Sequence, residues 1–199
     1  MTTAKKIDFW FDPSCPYTWR TSRWLTDVAD RHRIDVRWHV MSLAILNEGK
    51  DIPPQYRDLI AAGQVATRVM QAVREAGGAD ALARFYTEVG TRVHERGATM
   101  GVDVYREALA AAGLPAELAT AGDDETHQAA VAASHAEGQA RAGQESGSPI
   151  TAVDDGPGYF GPIVAPRPTG EDAARLLDAL VLLSGISSFS ELKRSRQAL

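Results

Sequence analysis

The chain has 199 residues, 44% of them hydrophobic, with a formal net charge of −5 and one cysteine. That is enough chain for one sizeable domain, or a domain with a large insertion, around an ordinary apolar core. Acidic and basic residues are interleaved, so nothing points to nucleic acid; no apolar run nears the ~18 residues of a membrane span, and a lone cysteine excludes an intrachain disulfide. Ile7, Phe9 and Phe11 alternate with Asp8, Trp10 and Asp12, a period of two that predicts a strand. Pro13, Ser14, Cys15 and Pro16 break that pattern. Residues 19–33 predict a helix with Leu25, Val28, Ala29 and His32 along one stripe. Val36, Trp38 and Val40 then alternate with Arg37, His39 and Met41 as a second strand. Strand, helix and strand in this order predict a βαβ unit with a right-handed crossover and parallel strands.

From 54 to 142 the chain is rich in Ala, Glu, Arg and Gln. Helices are predicted over 55–76, 79–96, 103–112, 115–121 and 125–142, with glycine or proline at the breaks. Strand character returns at 150–153, and the turn-rich segment 154–158 leads into Tyr159 and Phe160, which together predict a hairpin. Thr169, with Asp172 three residues on, reads as a helix N-cap. It opens a helix with Ala173, Leu176, Leu177, Leu180 and Leu183 on one stripe, and a short tail helix is expected over 190–194. The order βαβ, helical block, ββα gives residues 1–53 and 143–199 to the two halves of a core and residues 54–142 to a helical insertion between them. The polar residues 1–6 lack the apolar stretch of a secretory signal, and a lone cysteine suits a reducing compartment, so a cytoplasmic setting is expected.

Cys15 carries the chemistry. It stands between a strand end and a helix start, and Pro16 is the residue type favoured at a first helical position. Unbonded N–H groups at a helix start stabilise an anion, and thiolate is the reactive form of cysteine. The helix dipole is worth up to ~2 kcal/mol, roughly 1.5 pKa units at about 1.4 kcal/mol each. Stronger stabilisation needs hydrogen bonds to sulfur, for which Thr18 offers a backbone N–H and a hydroxyl. The alternative is an inert, buried core cysteine. Tyr17 and Trp19 place aromatic rings beside the thiol, Trp19 expected in the core and Tyr17 at the cleft. His32, His39, His94, His127 and His135 show no metal-ligand spacing, so surface or capping roles and no metal site are expected. The segment 154–158 has neither a calcium-loop pattern nor a following helix to make a phosphate loop.

Phe9-Trp10-Phe11-Asp12-Pro13-Ser14-Cys15-Pro16-Tyr17-Thr18-Trp19 resembles the active-site start of DsbA-like thioredoxin-fold proteins. The likeness is greatest to the actinobacterial mycothiol-dependent nitroreductase subfamily. His39-Val40-Met41-Ser42-Leu43-Ala44-Ile45-Leu46-Asn47-Glu48, Phe160-Gly161-Pro162 and Glu191-Leu192-Lys193-Arg194 are similar to the same subfamily. The resemblance implies an α/β thioredoxin core with an inserted helical domain, and a thiol-dependent oxidoreductase. It implies mycothiol as cosubstrate, no tightly bound cofactor, disulfide or small electrophilic substrates such as nitro compounds, and a possible homodimer. Relatives commonly carry Cys-Pro-Trp-Cys, whereas Tyr17 and Thr18 stand at the last two positions here. One thiol then has to form a mixed disulfide that a second thiol releases. The resemblance also implies a cis bond between Ser148 and Pro149, with Pro149 facing the active cysteine and Ser148 binding substrate main chain; the alternative is a trans proline that opens a strand. Asn47 and Tyr56 match positions near the relatives' substrate cleft, their alternatives being a turn residue and an early helix residue that packs. Two other activities stay open on this fold. One is a thiol-cofactor transferase or isomerase of the kappa-class glutathione transferase type; the other is a non-catalytic binding module.

Overall fold

A computed structural model describes residues 6–196, which form two compact units. One comprises the chain up to Phe11, Pro16–His39 and the chain from Glu137 onward; the other comprises Asp12–Cys15 and Val40–Ala136.

The first unit holds a four-stranded sheet in the order β2-β1-β3-β4, with β1 Lys6–Phe11, β2 Asp35–Val40, β3 Ile150–Val153 and β4 Gly158–Phe160. β3 runs antiparallel to β1, pairing Phe9 with Thr151 and Trp10 with Ile150, and antiparallel to β4, pairing Ile150 with Phe160. β1 is buried on both faces, so its alternation separates two environments rather than core from solvent. Phe9 and Phe11 meet Trp38 edge-on, at 5.3 and 6.1 Å between ring centroids. Trp10 stacks on His39 at 4.5 Å, and a Cβ on Gly138 would approach its ring to 3.0 Å. Glycine therefore lets helix α5, Gln128–Ala142, lie close against that ring. Asp8, which alternation alone places among polar positions, is only 5% exposed. Its carboxylate accepts from Arg141 Nη1 at 3.0 Å and from His39 Nε2 at 2.8 Å. Arg141 Nη2 also donates to the Asp154 and Gly156 carbonyls, tying α5 to the β3–β4 turn.

Helix α1, Pro16–His32, begins three residues before its predicted start, because Pro16 fits a first helical turn. It is joined to α6, Gly170–Ser184, by the Trp24 indole N–H donating to the Ala173 carbonyl at 3.1 Å. Thr169 takes the N-cap position of α6, but its side chain makes no capping bond; Glu171 and Asp172 in the first turn supply the negative charge that favours a helix start. The expected tail helix is absent: residues 190–194 are not helical, and Leu192 is 80% exposed. Five residues without an apolar face to bury do not meet the cost of helix nucleation. The tail is instead held upstream, where Phe189 meets the Tyr159 ring at 5.5 Å.

The second unit is helical. Its elements are α2 Leu43–Leu46, α3 Pro54–Gly90, α4 Val102–Ala112 and the N-terminal portion of α5. The break predicted at Gly77-Gly78 falls inside α3, where Gly78 adopts φ +77° and kinks the helix. A π-helical turn, Thr91–Glu95, follows α3 directly. The helix expected over 115–121 is a 3-10 segment, Ala116–Asp123, lying against α3; a Cβ on its Gly122 would collide with the Val65 side chain. The helix expected from 125 starts as a 3-10 turn, Glu125–His127, capped by Asp124 accepting from the Thr126 N–H at 2.9 Å.

Candidate active site

The helical unit carries Cys15 at the end of the four-residue loop Asp12–Cys15. This loop is wound around the buried Asp12 carboxyl. Oδ1 accepts from the Ser14 N–H at 2.8 Å and the Ser14 hydroxyl at 2.6 Å, and Oδ2 accepts from the Leu43 N–H at 2.6 Å. An aspartate bonding the amide two residues on is a local turn device. Here it also pins the first residue of α2, whose N-cap Ser42 accepts from Ile45 N–H at 3.3 Å. The Cys15 N–H closes the turn onto the Asp12 carbonyl at 3.2 Å. Burial raises the Asp12 pKa above the usual carboxylate value, despite the three donors that favour the anion.

Two further residues shape the loop. α3 approaches Ser14 and Asp12 at Gly63, where a Cβ would lie 2.7 Å from Ser14 Oγ and 3.2 Å from Asp12 Oδ1. His94, in the π-helical turn, donates from Nε2–H to the Pro13 carbonyl at 2.8 Å. Burial lowers the His94 pKa, partly countered by that bond. His135 is buried, and its Nδ1 accepts from the Ser42 N–H at 3.5 Å. So His135 is an internal group rather than the surface or capping histidine expected, while His94, and His39 in the other unit, are half-buried and hydrogen-bonded to the Pro13 carbonyl and the Asp8 carboxylate. Cys15 itself is partly exposed and stands immediately before Pro16, the first residue of α1. It is not the fully buried core cysteine of the alternative reading.

In the same unit a cleft of 640 Å³ opens between α2, α3 and the start of α5. Asn47 lines it, while its side-chain amide donates to the Leu43 carbonyl at 2.7 Å, so it also caps α2. Tyr56 is not among the lining residues; it sits in the first turn of α3 with 51% of its surface exposed.

The sheet unit carries the remaining predicted residues. The Thr18 and Ser148 hydroxyls lie 2.8 Å apart, both residues buried. The Thr18 hydroxyl is thus hydrogen-bonded to the residue before Pro149. The Ser148–Pro149 peptide bond is cis, and the Pro149 carbonyl accepts from Gly161 N–H at 2.8 Å. Pro16 and Tyr17 are partly exposed, with the Arg196 guanidinium 5.2 Å from the Tyr17 ring centre. Trp19 is core, 3% exposed, with Arg23 4.3 Å over its ring. Among the described residues, no group of three or more His, Cys, Asp or Glu side chains could hold a metal ion.

Asp12, Ser14, Gly63 and His94 were not among the residues predicted for the site. Asp-Pro-Ser before the cysteine is a readable turn signal for the first two. Nothing near Gly63 or His94 in sequence marks either, because both act from helices distant along the chain.

A family model described as mycothiol-dependent nitroreductase Rv2466c, of the Rv2466c-like family, matches residues 14–194. An uncharacterized protein of Mycobacterium tuberculosis, Rv2286c, is 32% identical over 200 residues, covering 98% of this chain and 83% of that protein. Among solved structures, a 2-hydroxychromene-2-carboxylate isomerase superposes with a TM-score of 0.63 at 14% identity, covering 88% of this chain and 94% of its own. The cytosolic disulfide reductase DsbM of Pseudomonas aeruginosa gives 0.55 at 22% identity, covering 89% and 99%. Chlamydia trachomatis DsbA gives 0.57 at 14% identity, covering 91% and 88%. At these identities the structural likenesses establish the fold, a DsbA-like thioredoxin fold with many added helices.

Proposed function

This chain belongs to the Rv2466c-like family of mycothiol-dependent nitroreductases and is a thiol-dependent oxidoreductase, and we propose that it works through Cys15 alone, with mycothiol as cosubstrate. The Cys15 thiolate attacks one sulfur of a disulfide, forming a mixed disulfide and expelling the other half as a thiolate. A mycothiol thiolate then attacks the substrate sulfur of that bond, returning Cys15 and carrying the substrate half away as a mycothiol mixed disulfide. For a nitro compound the balance is two thiols oxidised to one disulfide, with the nitro group reduced to nitroso and one oxygen leaving as water. Thr18 cannot resolve the mixed disulfide from within, so turnover depends on the second small thiol.

The observation that carries this reading is the position of Cys15: partly exposed, at the end of a loop locked by Asp12, and immediately before a 17-residue helix that Pro16 opens. The partial positive charge of a helix start favours thiolate over thiol. In the proposal Pro16, Tyr17, Ser148 and Pro149 contact substrate, Thr18 orients Ser148, and Asn47 and Tyr56 serve the substrate side of the helical unit. The enzyme acts in the cytoplasm, and a homodimer fits the resemblance. The test is mass spectrometry after incubation with mycothiol disulfide. We expect one mycothiol adduct, reversed by added mycothiol and absent in Cys15→Ser. A thiolate absorbance titration should place Cys15 below the ordinary thiol value of about 8.5. No adduct, or turnover retained in Cys15→Ser, overturns the reading.

A further inference from the structure

The sheet unit carries a guanidinium that no acid neutralises. Arg196 lies 5.2 Å from the Tyr17 ring centre and 5.5 Å from that of Phe160. Ring faces attract a cation through their quadrupole, and such contacts use none of the five N–H donors of arginine. Among the described residues no carboxylate pairs with Arg196 and no carbonyl accepts from it. The start of α1 does not supply the missing charge. It has no acidic residue in its first turn, and the first along the helix is Asp27. Arg20, one turn on from Tyr17 along the same face of α1, adds a second cation without an acid partner among the described residues. Helix starts ordinarily favour Asp or Glu, and the chain as a whole carries a net charge of −5. The local excess of positive charge runs against both.

The two rings that meet Arg196 stand on the segments assigned to substrate. Tyr17 follows Cys15 by two residues, in the first turn of α1. Phe160 pairs with Ile150, the residue after the cis Ser148–Pro149 bond, and Gly161 donates its N–H to the Pro149 carbonyl at 2.8 Å. The Thr18 and Ser148 hydroxyls, 2.8 Å apart, join these two segments. Arg196 reaches them from the tail, which is anchored where Phe189 meets the Tyr159 ring at 5.5 Å and its carbonyl accepts from the Tyr159 hydroxyl at 3.4 Å. A planar fork of N–H donors placed there matches a carboxylate, which accepts two parallel bonds from it.

We propose that Arg196 is a specificity-determining residue that recruits electrophiles bearing a carboxylate to the reaction at Cys15. The inference rests on the reading that Cys15 is the nucleophile, and it adds the substrate class, anionic rather than neutral.

The test compares two aromatic disulfides. Dithiobis-nitrobenzoate carries a carboxylate on each ring, and dithiodipyridine carries none. Each reacts with the Cys15 thiolate to form a mixed disulfide and release one aryl thiolate, whose absorbance gives a second-order rate. Changes in the reactivity of Cys15 itself cancel in the ratio of the anionic to the neutral rate. Arg196→Gln should lower that ratio about fourfold, within the range for one exposed ion pair. Arg196→Glu should lower it further, and Arg196→Lys, which keeps the charge, should retain most of it. Salt gives a second readout that needs no variant. Attraction to Arg196 makes the wild-type ratio fall as ionic strength rises from about 0.02 to about 0.5 M, whereas repulsion of the dianion by a chain of net charge −5 makes it rise. A ratio unchanged in Arg196→Gln, or one that rises with salt in the wild type, overturns the assignment and leaves the thiol chemistry standing. Failure of both disulfides to modify Cys15 overturns that chemistry and the assignment with it.

Discussion

At the residue scale, the cysteine loop depends on a carboxyl group with two acceptor oxygens. Asp12 serves Ser14 through Oδ1 and Leu43 through Oδ2. Asn has one oxygen and one NH2, so Asp12→Asn must turn a donor toward either Ser14 or the Leu43 N–H. A buried donor left facing a donor costs about 1–3 kcal/mol, and we expect that loss in the unfolding free energy measured in urea. Cys15 adduct formation should slow as well, since the loop would no longer be anchored to α2. Burial raises the Asp12 pKa and so disfavours its anion in the folded protein; stability lost in Asp12→Asn therefore reports hydrogen bonding and not loss of a favourable anion. Gly63 offers a second test. In Gly63→Ala the new methyl would lie 2.7 Å from Ser14 Oγ, a buried atom that has no room to retreat. Overpacking of that kind costs about 1–3 kcal/mol, and the cysteine loop bears it directly. Retained stability and an unchanged alkylation rate of Cys15 would show that α3 does not brace the loop.

At the element scale, the sheet unit depends on one arginine that serves three segments. Arg141 of α5 pairs with Asp8 of β1 and donates to the carbonyls of Asp154 and Gly156 in the β3–β4 turn. Asp8 is nearly buried, so removing its cation leaves an uncompensated charge beside His39. Arg141→Met should lower stability by about 3 kcal/mol, the range for breaking a buried pair from one side. The double variant Asp8→Asn with Arg141→Met should recover some of that loss, because the stranded charge is gone; a thermal melting cycle of the four proteins measures the coupling. This element was only partly legible in the sequence. Strand β1 was readable from its period of two, and the turn at 154–158 from its glycines and aspartates. The alternation, however, implies a polar side for Asp8, and no local pattern says that Arg141, 133 residues away, will bury it.

At the scale of the whole molecule, the order of elements was legible because each depends on local periodicity and on glycine and proline breaks, as at Gly78. What was not legible depends on packing between distant segments. The helix expected over 115–121 is a 3-10 segment, the one expected from 125 opens with a 3-10 turn, the tail helix did not form, and His135 is buried and His94 half-buried where surface or capping roles were expected. That last difference has a measurable consequence. Burial lowers the pKa of both histidines below the ordinary 6.5. The unfolded chain therefore takes up protons first as pH falls, and unfolding is favoured in the interval between 6.5 and the lower native values. Their contribution is fully present above 6.5 and is lost as pH drops through that interval. Urea midpoints should thus decline from about pH 8 to about pH 5.5, before most carboxylates titrate. The double variant His94→Gln with His135→Gln should flatten that decline while starting from a lower stability at the alkaline end, since the bonds to Pro13 and from Ser42 are altered. A slope that persists in the double variant would place the acid sensitivity in other groups and leave these two rings as packing residues alone.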